Sequence, residues 1–154
     1  MHGIPAYFTD GLRNNFAGSD LIVETKDRRR KLWVQVKTGA PILKDHIYLT
    51  QCSGDEDLSR PKFDSDFVIF VNIETRSALR HLHQGELGFE HLSFYVVPAD
   101  EANAVYQKWL THWHKKPKRD GGVRKLSNMA VHVPVCEMAK YRDAWLLLKA
   151  RSAA

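Results

Sequence analysis

The stretch that decides the fold is Gly18-Ser19-Asp20-Leu21-Ile22-Val23-Glu24, followed after a charged turn by Leu32-Trp33-Val34-Gln35-Val36-Lys37-Thr38. Both halves are apolar and β-branched or bulky, and Lys26 to Arg30 between them is turn-like, which predicts a β-hairpin. Alternate side chains of a strand share a face. Asp20, Ile22 and Glu24 therefore point one way on the first strand, and Trp33, Gln35 and Lys37 share a face of the second. If the two faces coincide, Asp20 meets Gln35 and Lys37 at the end of the hairpin away from its turn.

Such a cluster has a chemical use. Magnesium takes hard oxygen ligands, usually one or two carboxylates with waters and a substrate phosphate completing the shell. Asp20 offers a carboxylate and Gln35 a neutral carbonyl oxygen. A lysine beside them, Lys37, can hold a scissile phosphate or help position the attacking water, whose pKa the metal lowers. The plain alternative is an exposed hairpin face whose polar residues only meet water.

Working outward, residues 1–18 hold Gly3, Pro5, Gly11 and Gly18 and read as an irregular lead-in. After the hairpin, His46 to Thr50 fits a third strand, and Cys52 to Asp66 a loop with a helical turn near Leu58. Phe67 to Ile73 is nearly all apolar, as in a strand buried on both faces. Leu92 to Val97 is another strand, stopped by Pro98. Ala99-Asp100-Glu101 opens a helix with Val105, Trp109, Leu110 and Trp113 as its apolar stripe. Ala130 to Val135 reads as an edge strand. A last helix is expected over Glu137 to Ala150, with Met138, Tyr141, Trp145 and Leu148 on one side.

The 154 residues suit one domain, 1–154: lead-in 1–18, core sheet 19–98, and C-terminal helices 99–150 with a basic loop at 115–127. With 44% hydrophobic and 27% charged residues, the composition excludes a disordered chain and a membrane bundle. No apolar run is long enough for a bilayer, and no secretory signal is evident, so a cytoplasmic location with no membrane partner is the default. Cys52 and Cys136 are read as buried or partly buried free thiols.

The net charge of +5 is compatible with a polyanionic partner. The cations gather in Arg28, Arg29, Arg30 and Lys31, and again in Lys115, Lys116, Lys118, Arg119, Arg124 and Lys125, where only Asp120 opposes them. Two solvated loops would look the same, but the arrangement also suits a phosphate backbone.

The hairpin resembles the Asp, spacer, (Glu/Asp/Gln)-x-Lys signature of the PD-(D/E)XK nuclease-like superfamily, in its Gln-x-Lys variant. Asp66-Phe67-Val68-Ile69-Phe70-Val71 and Phe94-Tyr95-Val96-Val97-Pro98-Ala99-Asp100 extend the similarity to small bacterial proteins of that group. The resemblance implies an α/β fold of the restriction-endonuclease-like kind, a mixed central sheet of four to five strands flanked by helices. It further implies metal-dependent cleavage of nucleic acid, DNA first, with Mg²⁺ or Mn²⁺ as cofactor. Asp20 would be a metal ligand, Gln35 the neutral replacement for the second acidic ligand, and Lys37 the catalytic lysine. Two departures stand out: Gln35 removes a charge from the metal site, and residues 1–18 contain no Glu. A sheet that has lost cleavage and only binds nucleic acid or protein is the alternative.

Accessory roles fall to Glu24 and Trp33, although Glu24 sits about 13 Å along the strand from Asp20 at roughly 3.3 Å per residue. Trp33 shares the Gln35 face. His81 and His83 read as loop residues and His112 and His114 as a solvated helix end, rather than as zinc ligands. Trp109, Trp113 and Trp145 have the spacing of core packing more than of base stacking. A homodimer would let two sites cut two strands.

Overall fold

Alternation along the second strand of the hairpin buries Leu32 and Val34 on one face of a sheet. The computed structural model describes residues 6–8, 20–24, 31–39, 45–52, 61–73, 92–118, 120–122, 124 and 129–153. Their elements are β1 (Ala6–Phe8), β2 (Leu21–Glu24), β3 (Lys31–Gly39), β4 (His46–Gln51), β5 (Phe67–Ile73), β6 (Leu92–Pro98) and α1 (Ala99–Lys115). They continue with β7 (Ala130–Pro134), α2 (Val135–Met138), a 3₁₀ turn (Ala139–Tyr141) and α3 (Leu146–Ala153).

The five-stranded sheet has the order β1-β2-β3-β5-β6. β3 and β5 are parallel and every other neighbouring pair is antiparallel. The chain is thus a mixed α/β protein, as its sequence implies. Two outcomes among the strands differ from the sequence reading. The lead-in contributes β1, which extends the hairpin to three strands. β4 and β7 do form, but they pair with each other as a separate antiparallel ribbon.

Each sheet face builds its own core. Val23, Leu32, Val34, Phe67, Ile69 and Val96 pack under Leu148 of α3. On the opposite face Val68, Phe70, Tyr95 and Val97 meet α1 through Ala102, Tyr106 and Leu110, and the ribbon through Ile47, Leu49, Val131 and Val133. β5 is covered on both sides, which is why its run is apolar without alternation.

The stripe of α1 is rotated from the one expected. Its buried residues are Ala99, Ala102, Tyr106 and Leu110, while Val105 and Trp109 are only partly buried against the core. Tyr106 fills the core with Phe63 edge-on at 5.9 Å between ring centroids. Asn103 fastens the preceding loop, accepting from Phe63 N–H at 2.9 Å and donating to its carbonyl at 3.0 Å.

The last helix is broken where one continuous helix was expected. Arg142 forms an isolated antiparallel bridge with Tyr95, and Asp143 N–H donates to the carbonyl of Phe94 at 2.9 Å. These bonds pair the outer edge of β6. Asp143 takes a positive φ of 51°, so α3 restarts only at Leu146. Trp145 and Leu148, expected on one helical side, are respectively 39% exposed and buried. Cys52 is buried as expected, but Cys136 is exposed.

Candidate functional site

The hairpin register decides whether the two polar faces coincide. Ile22 pairs with Trp33 and Leu21 with Val34. One step further, Asp20 N–H donates to the Val34 carbonyl at 2.9 Å, so Asp20 stands opposite Gln35 at the end of the ladder. The faces are the same. Gln35 is paired with Val68 of β5 and Lys37 with Phe70, which places both on the sheet face that carries α1 and the ribbon.

Asp20 is exposed, and its Oδ2 accepts a hydrogen bond from the backbone N–H of Val36 at 2.6 Å. The carboxylate thus continues the ladder by one bond beyond Leu21, the first residue of β2. A carboxylate is acceptor-only, the donor type that a hard cation takes.

Gln35 is half-buried, and its Oε1 is buried with no hydrogen-bond partner. Folded proteins leave few such atoms unpaired. Lys37 is half-buried two residues on, and among the described residues no ion pair joins it to Asp20.

One carboxylate and one unpartnered amide oxygen fit a hard divalent cation whose remaining positions are filled by water and phosphate. They make a minimal donor set. Among the described residues no three His, Cys, Asp or Glu side chains converge on a metal position. Glu24 does not join the cluster: it lies at the turn end of the hairpin, 3.9 Å from the Lys31 ammonium. Trp33 is held by Asp66, whose Oδ2 accepts from Trp33 N–H at 2.7 Å while Asp66 N–H donates to the Trp33 carbonyl at 2.9 Å. Asp66 thereby locks the start of β5 against β3.

Of the basic residues, Arg28, Arg29, Arg30, Arg119 and Lys125 lie outside the described residues, as do His81, His83 and Leu58. Lys115, Lys116 and Lys118 are exposed at the end of α1. Lys116 Nζ sits 4.3 Å from the centre of the Trp113 ring. Arg124 is partly committed to the fold, since its Nε donates to the Lys116 carbonyl at 3.0 Å and caps the helix. Trp113 is an anchor, its Nε1–H donating to the His132 carbonyl at 2.8 Å.

Three residues near the site escaped the sequence reading. Asn72 interrupts the apolar run of β5 and was the available signal. Tyr48 and His132, which pair across the ribbon, show only in three dimensions. His132 is held below the usual histidine range by burial and then by the neighbouring His46, and burial pushes the Tyr48 phenol up.

Compared with family models, curated proteins and solved structures, the chain matches none. Among the described residues no helix is long and apolar enough to cross a membrane.

Proposed function

We propose that this chain binds nucleic acid, DNA first, and hydrolyses phosphodiester bonds with Mg²⁺ or Mn²⁺ at Asp20, Gln35 and Lys37. The observation that carries the reading is the unpartnered Gln35 Oε1 on the sheet face where Asp20 stands opposite and Lys37 follows. Asp20 and Gln35 would hold the metal, which supplies the activated water and neutralises developing charge. Lys37 would hold the scissile phosphate. Lys31, Lys115, Lys116 and Lys118, all exposed, would meet the backbone on either side.

The test is cleavage of labelled single-stranded, duplex and branched DNA with either metal, by wild type and Lys37→Ala. Metal-dependent cutting that disappears in Lys37→Ala while binding stays within a few-fold supports the reading. Unchanged cutting in that variant overturns the site.

A second reading, a binding module of the same sheet without cleavage, is favoured by the Asp20–Val36 hydrogen bond. That bond gives Asp20 a structural task of its own. Salt-sensitive nucleic-acid binding with no cutting in either metal would decide for it.

A further inference from the structure

β5 is apolar from Phe67 to Val71 and then carries a buried amide, Asn72, whose Oδ1 has no hydrogen-bond partner. Asn72 pairs with Gly39 of β3 on one side and Ser93 of β6 on the other. By strand alternation it lies on the face that carries Gln35 and Lys37. Gly39 is glycine there for a steric reason: a Cβ would stand 2.1 Å from Cδ1 of Tyr48. The Tyr48 ring therefore rests directly on the sheet. The His132 ring lies beside it, 5.6 Å away between centroids. His132 is 5% exposed, and neither of its ring nitrogens has a partner.

These groups stand at the carboxyl ends of the parallel pair β3 and β5, the end at which open α/β sheets bind ligands. Their chemistry narrows the ligand. A neutral imidazole has one N–H donor and one acceptor nitrogen, and Asn72 Oδ1 adds an acceptor. A phosphate, which only accepts hydrogen bonds from such groups, would be opposed by the acceptors. An aliphatic chain would leave all of them unpaired. A planar neutral group bearing both donors and acceptors satisfies them and also stacks on an aromatic ring.

We propose that this end of the sheet binds an unpaired nucleobase, with Tyr48 stacking on its ring and Asn72 and His132 hydrogen-bonding its edge. The proposal rests on the nucleic-acid reading above. Lys37 lies two residues before Gly39, roughly 7 Å at about 3.3 Å per residue, a separation that one sugar can bridge. The phosphate of the bound nucleotide would then fall to Lys37 and its base to Tyr48.

The experiment is fluorescence anisotropy in metal-free buffer, comparing a labelled single strand with a strand of the same length whose sugars are abasic. Wild type should bind the intact strand about ten-fold more tightly, the order of effect one stacked base gives. Tyr48→Leu should lose this preference with its salt dependence unchanged, and Tyr48→Phe, which keeps the ring, should retain it. Asn72→Leu removes the unpaired buried oxygen, and urea unfolding beside the anisotropy checks that the variant is folded. It should weaken binding of the intact strand alone. Equal affinity of wild type for intact and abasic strands overturns the base subsite, as does full preference in Tyr48→Leu. Binding of neither strand overturns the nucleic-acid reading itself.

Discussion

The carboxylate of Asp20 accepts the backbone N–H of Val36 at 2.6 Å, one residue past Gln35 on the neighbouring strand. The same side chain therefore ends a β-ladder and stands at the proposed metal position. The two tasks separate by substitution, because an amide oxygen can still accept the N–H but carries no charge for the metal.

Asp20→Asn should keep stability within about 0.5 kcal/mol of wild type, and Asp20→Ala should lose roughly 0.5–1.5 kcal/mol, the net worth of a hydrogen bond of this kind. Both should lose Mg²⁺ and Mn²⁺ binding. Urea unfolding beside a metal titration checks this. Retained metal binding in Asp20→Asn would remove Asp20 from the site.

Gln35 gives an opposite pair of outcomes. Gln35 is half-buried, and replacing its buried, unpaired oxygen by an apolar group of similar size removes a desolvated atom. Gln35→Leu should therefore match or exceed wild-type stability by up to about 1 kcal/mol and bind no metal. Gln35→Glu adds a second carboxylate beside Asp20 and should tighten Mn²⁺ binding at least about ten-fold. Calorimetric titration of both variants checks the two signs together.

The basic end of α1 makes a prediction that needs no chemistry. Lys115, Lys116 and Lys118 are exposed and close in sequence, and Lys116 is steadied on the Trp113 ring. Each lysine that touches a duplex phosphate steepens the fall of log affinity with log salt by about 0.9. Changing all three to Gln should lower that slope by about 2–3 for duplex DNA. An unchanged slope would place the polyanion elsewhere.

How far the sequence led depends on what each signal was made of. The hairpin, its shared polar face and the doubly buried β5 were legible because period-two alternation and an unbroken apolar run are local signals. The pairing of β4 with β7 was not legible, since it joins residues about the whole second half of the chain apart and their apolar patterns match any sheet. The break at Asp143 was hidden for a related reason. Tyr141, Trp145 and Leu148 keep helical spacing, but the unpaired edge of β6 takes Arg142 and Asp143 out of the helix. Within the candidate site, Asp20, Gln35 and Lys37 stand out in the sequence by their interruption of apolar strands. Asn72 interrupts β5 in the same way, and Tyr48 becomes significant only through the missing Cβ of Gly39.

His132 carries the last prediction, a dependence of stability on pH. Burial, and then the neighbouring His46, lower its folded pKa beneath the ordinary 6.5, so the folded protein holds it neutral where the unfolded chain would bind a proton. The sign follows. Stability from this group is complete above about 6.5 and falls as the pH drops from there toward the lowered folded value, because the unfolded state binds more protons in that window. One uncompensated proton gives a slope of at most about 1.4 kcal/mol per pH unit. The ring faces Tyr48 and stands near His46, and no carboxylate among the described residues pairs with it to offset the incoming charge. Urea unfolding of wild type between pH 7.5 and 5 should show this fall on the order of 1 kcal/mol, and His132→Phe should flatten it. A slope of the same size in His132→Phe would mean that His132 does not carry the dependence.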